Sequence, residues 1–167
     1  VMYNDFVIVG AADNPANIMG NDVLEAFSMI ADSESTFISR GDDSGTHKKE
    51  LGLWSAANTT PSTDWYRETG SGMGATLNAA VGMNAYAMTD RATWIAFKNK
   101  SDFKVLLEGD KALFNQYGVI AVNPAKCPNV NSAGAQQFVS WLLSPDGQQA
   151  IGSYRKLGEQ LFTPNAS

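Results

Sequence analysis

"FISRGDDSGTHKKE", residues Phe37 to Glu50, carries the reading of the fold. Phe37 and Ile38 begin an apolar, strand-like run that ends at Ser39-Arg40. Gly41 to Gly45 is a turn of small and acidic residues, and from Thr46 the pattern becomes helical. A strand, a tight turn and a helix in succession are the repeating unit of an α/β domain.

The same alternation continues on both sides. Phe6-Val7-Ile8-Val9 reads as a buried strand stopped by Gly10. Asn21 is placed to cap a helix through about Ala31, with Leu24, Phe27 and Ile30 toward the core. Thr36–Ser39 is the strand leading into the quoted turn. The helix Thr46–Ala57 follows, with Leu51 and Trp54 inward and His47, Lys48, Lys49 and Glu50 mostly in solvent. Asn58–Asp64 is loop, and Gly70–Gly74 opens a helix through about Val81. Ala85–Thr89 is a strand ending at Asp90-Arg91, followed by a short helical piece with Trp94 and Phe97. Lys104–Leu107 and Tyr117–Val122 are further strands. In the last quarter Phe138, Trp141 and Leu142 form one apolar helix face, and Ser144-Pro145 begins a short helix. The pattern predicts an α/β fold with a mostly parallel sheet flanked by helices. In such sheets ligands sit beyond the carboxyl ends of strands, which singles out Arg40–Thr46 and Thr89–Thr93.

At 167 residues, with 44% hydrophobic and 17% charged residues, the chain fits one ordinary globular domain with a real core. A net charge of −5 argues against nucleic acid as a partner. It also requires any anion site to be built locally, against the mean field. Cys127 stands alone, so no intrachain disulfide forms, and it reads as a small buried or half-buried side chain. Trp54, Trp65, Trp94 and Trp141 read as core. No run approaches the roughly 20 apolar residues of a membrane span. The chain opens on Val1 without a basic or apolar leader, which fits a cytoplasmic protein or a processed or truncated secreted one.

Three chemistries fit the turn. Asp43-Ser44-Gly45 is similar to the surroundings of a serine nucleophile, but the single histidine, His47, lies three residues on and is poorly placed to act as its base. Asp42 and Asp43 offer cation ligands, although adjacent side chains diverge and Lys48-Lys49 follows. An anion uses more of the residues. The first amides of the helix lack intrahelical acceptors, Gly45 permits close approach, Ser44 and Thr46 add hydroxyls, and Arg40 adds a forked cation. In that reading one aspartate caps the helix and the other orients Arg40. The same strand–turn–helix also caps helices with no ligand at all. Asp90-Arg91 offers a second basic group, which an internal salt bridge explains equally well. Gly70–Gly74 lacks the Lys-Ser/Thr of a P-loop.

"VMYNDFVIVG", "SRGDDSGTHKKE", "GMGATLNAA", "YAMTDRATW", "LLEGD…LFNQYGVIAVNP" and "FVSWLLSPDGQQAI" occur in this order. Together they resemble the tungstate-binding periplasmic proteins of bacterial ABC importers. The resemblance implies a two-lobed periplasmic-binding-protein-like fold, with one complete lobe and part of the other in this chain. Residues 11–115 would form the second lobe. Residues 1–10 and 116–167 would be crossing strands and C-terminal helices of the first, and the segment that precedes "VMYNDF" in the family would be missing. It implies oxyanion contacts from Arg40, Ser44, Gly45, Thr46 and Arg91, with no catalysis, no cofactor and no metal beyond tungstate as an anion. Tungstate is the expected ligand and molybdate the next. Expected partners are the membrane subunit of an ABC transporter and a second copy on the exposed first-lobe remnant. The expected location is periplasmic or extracellular. A phosphoester-processing enzyme using the same turn, and a ligand-free sensory or structural domain, are the alternatives.

Overall fold

A computed structural model describes residues 1–20, 22–62 and 64–166. The chain divides into two units, one formed by Asp5–Phe114 and one by Val1–Asn4 with the segment from Asn115 onward.

The larger unit is built around β1 (Met2–Gly10). Its residues alternate between two cores. Phe6 and Ile8 join Phe27, Ile30, Phe37 and Trp54, whereas Val7 and Val9 join Leu77, Ala80, Ala87 and Trp94. This is the two-residue period of a strand covered on both faces, and it explains why the run is continuously apolar. One face is closed by α1 (Val23–Asp32) and α2 (Gly45–Ala56). The other is closed by α3 (Met73–Met83) and α4 (Arg91–Ala96).

β2 (Phe37–Ser39) pairs in parallel with β3 (Tyr66–Glu68), and Phe37 bridges in parallel to Tyr86 at the entry to β4 (Ala87–Asp90). β1 runs antiparallel to β4, with Phe6 opposite Asp90, and antiparallel to β5 (Lys104–Leu107). β2, β3, β4 and β5 therefore share one direction, and β1 lies reversed between β4 and β5. The α/β class holds, with a mixed pairing: the ladders through β1 are antiparallel, whereas β2 pairs with β3 in parallel. The carboxyl ends of β2, β3 and β4 open onto one edge, at Arg40, Thr69 and Arg91.

Several expectations change. The predicted cap Asn21 lies outside the described residues; Asp22 caps α1, its Oδ1 accepting the Glu25 amide at 2.8 Å. β3 had no apolar run to announce it, since Arg67 and Glu68 are exposed. Leu51 points outward, 43% exposed.

In the smaller unit Met2 and Tyr3 pair with Pro164 and Thr163 of β9 (Thr163–Pro164), and β6 (Phe114–Tyr117) also pairs with β1. The strand predicted at Tyr117–Val122 is not formed beyond Tyr117; Ile120 is 91% exposed, and an apolar run without a neighbouring strand has no ladder to join. α5 (Ser132–Leu143) and α6 (Pro145–Ser153) meet at Ser144, whose Oγ accepts the Gly147 amide. Gly147 is required there, because a Cβ would stand 2.0 Å from the Trp141 carbonyl oxygen. Trp141, predicted as core, is exposed and stacks on exposed Phe138 of the same apolar helix face, and Cys127 is exposed as well. A short hairpin of β7 (Arg155–Lys156) and β8 (Glu159–Gln160) precedes β9. Among the described residues no helix is long and apolar enough to cross a membrane.

Candidate functional site

At the open edge of the sheet, β2 ends in buried Ser39 and the chain turns through Arg40–Ser44 into α2. Gly41 and Asp43 both take positive φ, +58° and +57°. At Gly41 a side chain is excluded twice over: by that conformation, and by the Glu68 side chain 2.5 Å from where its Cβ would lie.

Asp42 organises the turn. Its Oδ2 accepts Arg40 Nε at 3.1 Å and Nη2 at 2.5 Å, and its Oδ1 accepts the Ser44 amide at 3.2 Å. The Ser44 and Arg40 hydrogen bonds hold its carboxyl down to about 2, so it stays ionised at any physiological pH. Asp43 diverges to the surface, 3.4 Å from Lys48 Nζ. The sequence reading gave the helix cap to an aspartate. Ser44 holds that position instead, extended at φ −69° and ψ 168°, its Oγ accepting the His47 amide at 3.3 Å. The amides of Gly45 and Thr46, the first two of α2, have no acceptor within the helix.

The inner face of α2 overturns the expectation that His47 and Glu50 lie in solvent. Glu50 is 2% exposed. Its Oε2 accepts Ser39 Oγ at 2.8 Å, and its Oε1 accepts Tyr66 OH at 2.7 Å and Trp54 Nε1 at 3.1 Å. Burial pushes its carboxyl above the ordinary range, and the same surroundings push the Tyr66 phenol up. Ser39 Oγ in turn accepts the Gly41 amide. His47 is buried too, and its Nδ1 accepts the Asp43 amide at 3.1 Å. The ring thus faces the turn's backbone rather than the Ser44 hydroxyl, which is not the arrangement of a nucleophile and its base.

The loop after β3 laces onto this turn. The Thr69 amide donates to Ser39 O at 3.0 Å and the Ser71 amide to Arg40 O at 3.2 Å, while Thr69 Oγ1 lies 2.8 Å from Thr76 Oγ1 on α3. α3 starts at Gly72 without a side-chain cap.

Four of the five predicted residues, Arg40, Ser44, Gly45 and Thr46, come together on this one turn. Arg91 stands at the head of α4, where its Nε and Nη2 bind the Asp5 carboxylate, both at 2.6 Å, and Nη2 also binds Glu108 at 2.6 Å. The two carboxylates hold its guanidinium still more firmly protonated than usual. The salt bridge suspected for this arginine exists, but with Asp5 and Glu108; Asp90 caps α4 through the Thr93 amide. Among the described residues no hydrogen bond or ion pair joins Arg91 to the Arg40–Thr46 turn. Sequence reasoning missed Glu50, although residues 47, 50 and 54 fall on one helical stripe that ends at a buried tryptophan.

A turn of this kind can hold an oxyanion: a guanidinium fixed from behind, two open amides and two hydroxyls at a helix N-terminus. A model described as the PBP superfamily domain matches residues 1–146. The tungstate-binding protein TupA of Peptoclostridium acidaminophilum is 48% identical over 172 aligned residues, covering 100% of this chain and 60% of that protein. Among solved structures, the tungstate-binding protein TupA of Desulfovibrio alaskensis superposes with a TM-score of 0.83 at 47% identity, over 99% of this chain and 69% of that one. The tungstate ABC transporter structure from Geobacter sulfurreducens gives 0.84 at 46% identity, over 92% and 66%. The chain spans between 50% and 64% of the length of the curated relatives it matches.

Proposed function

We propose a function from the premise that this chain belongs to the PBP superfamily: it is the anion-holding part of a solute-binding protein that captures a tetrahedral oxyanion for an ABC importer. Tungstate is the favoured ligand, because relatives named for tungstate match nearly the whole chain, and molybdate is next. One observation carries the reading. Arg40 is clamped by Asp42 at the foot of α2, beside the open amides of Gly45 and Thr46. Ser44 and Thr46 add hydroxyl donors, and Arg91 is the fifth residue, contributing Nη1, the nitrogen that neither Asp5 nor Glu108 engages.

Binding is dehydration without chemistry. A dianion exchanges water for fixed donors, and closure of two lobes completes the shell. Residues 11–115 serve as the second lobe; residues 1–10 and 116–167 supply the crossing strands and first-lobe helices. The protein works on the periplasmic or extracellular side and delivers its cargo to a membrane subunit. Exposed Ile120, Phe138 and Trp141 offer apolar surface for self-association.

Calorimetry with tungstate on the complete protein tests this reading. Arg40→Ala removes a charge-assisted contact and weakens binding by about 1.5–3 kcal/mol, roughly ten- to a hundredfold. Lys48→Ala, at an exposed side chain paired with Asp43, changes it less than about threefold. Equal small losses for both variants contradict the proposal.

A further inference from the structure

His47 is buried one turn into α2, yet the anion reading gives it no task. Two hydrogen bonds tie it to the turn ahead. Its amide donates to Ser44 Oγ at 3.3 Å, and its ring Nδ1 accepts the Asp43 amide at 3.1 Å. Asp43 holds φ +57°, in the left-handed region that aspartate enters more readily than most residues. Nε2 is buried without a hydrogen-bond partner, 3.4 Å from Glu68 Oε1. An imidazole accepting at Nδ1 carries its proton on Nε2, which points the proton toward the Glu68 carboxylate.

We propose that His47 is a positioning residue of the oxyanion turn, and that its neutral imidazole makes anion binding dependent on pH. The inference rests on the oxyanion reading of that turn. The acceptor at Nδ1 fixes the peptide between Asp42 and Asp43. That peptide separates the carboxylate that orients Arg40 from the serine that starts α2. Protonation turns Nδ1 from acceptor to donor, so it faces the Asp43 N–H with a second hydrogen and the bond is lost. Glu68 approaches from β3, Glu50 lies one turn along α2, and the Asp43 carboxylate sits beside Lys48. The imidazolium then leans on Glu68, whose side chain packs against Gly41 on the opposite limb of the turn. One proton therefore disturbs both limbs.

Asparagine provides the control, because its Oδ1 occupies the place of imidazole Nδ1 and does not titrate. Tungstate at micromolar concentration is titrated into the complete protein by calorimetry from pH 8 to pH 5, using wild type, His47→Asn and His47→Leu. In the same samples without ligand, the ring nitrogens of His47 are followed by nitrogen-15 NMR. Wild type is expected to weaken about tenfold relative to His47→Asn as the pH falls, the equivalent of one turn-holding hydrogen bond. His47→Leu is expected to bind about tenfold more weakly than wild type at pH 8, with no added slope. NMR is expected to find Nδ1 unprotonated at pH 8. The proposal is overturned if His47→Asn keeps the wild-type pH slope, or if Nδ1 carries the proton at pH 8. Absence of tungstate binding at every pH overturns the oxyanion reading instead, while the NMR tautomer still decides the role of the ring.

Discussion

Removing the Glu50 side chain strikes the support of the turn without touching its donors. In Glu50→Ala three groups lose their acceptor: Ser39 Oγ, Trp54 Nε1 and Tyr66 OH. An orphaned buried donor costs about 1–3 kcal/mol. Tyr66 is only partly buried and can turn to water, and the Ser39 hydroxyl can rotate, so both count at the low end. The sum is about 3–6 kcal/mol, a large share of the roughly 5–15 kcal/mol that holds a domain folded. For a chain of this size that lowers the melting temperature by about 10 °C or more. Glu50→Gln behaves differently. Its carbonyl oxygen can accept from Tyr66 and Trp54 together, while its amide donates to a reoriented Ser39 hydroxyl, so the three bonds survive without a buried charge. The sign with pH follows from burial. A carboxyl raised above its ordinary 4.5 contributes stability below that value and loses it as pH rises through the folded value. Wild type should therefore lose stability relative to Glu50→Gln as pH climbs above 4.5, and Glu50→Ala should be the least stable at every pH. Thermal unfolding followed by circular dichroism between pH 4 and pH 8 measures all three. A Glu50→Ala protein within about 1 kcal/mol of wild type would refute the reasoning.

Asp42 titrates the other way. Its lowered carboxyl contributes stability above 3.8 and loses it as pH falls toward about 2. The melting-temperature gap between wild type and Asp42→Asn should be constant above pH 5 and shrink below pH 4; a gap that widens on acidification contradicts the assignment. Arg91→Met leaves Asp5 and Glu108 without their cation at a partly exposed site and should cost about 1–2 kcal/mol in urea unfolding, less at high salt. A loss below about 0.5 kcal/mol would mean that this cluster does not hold the strand ends.

The sheet was legible because its strands announce themselves. Phe6–Val9, Phe37–Ser39 and Lys104–Leu107 are short apolar or β-rich runs, and a run buried on both faces needs no subtle pattern. β3 escaped because Tyr66-Arg67-Glu68 lies at the sheet margin with two of its three side chains in solvent. The turn was legible through its residue types: only a strand handing over to a helix uses Arg-Gly-Asp-Asp-Ser-Gly-Thr economically. α2 was misread by the rule that charge faces water. Its inner face begins with His47 and Glu50 and ends with Leu53 and Trp54, so helical periodicity pointed inward while residue type pointed outward. Periodicity was the better guide, because the buried polar groups find partners on the turn and on β3. Tyr117–Val122 failed for the opposite reason. Its composition suits a strand, but strands are made by neighbours, and none is at hand among the described residues.

On the proposed oxyanion reading, the leash between Arg40 and Asp42 bears on departure as much as on arrival. A cation already counterbalanced two residues away exerts little pull at a distance, so what the turn offers a guest is direction at short range. Dissolved electrolyte should therefore blunt such a grip far less than it blunts a patch of bare lysines. A hold made of aim, rather than of attraction, also slackens abruptly when the turn is twisted, as release from the proposed carrier would require.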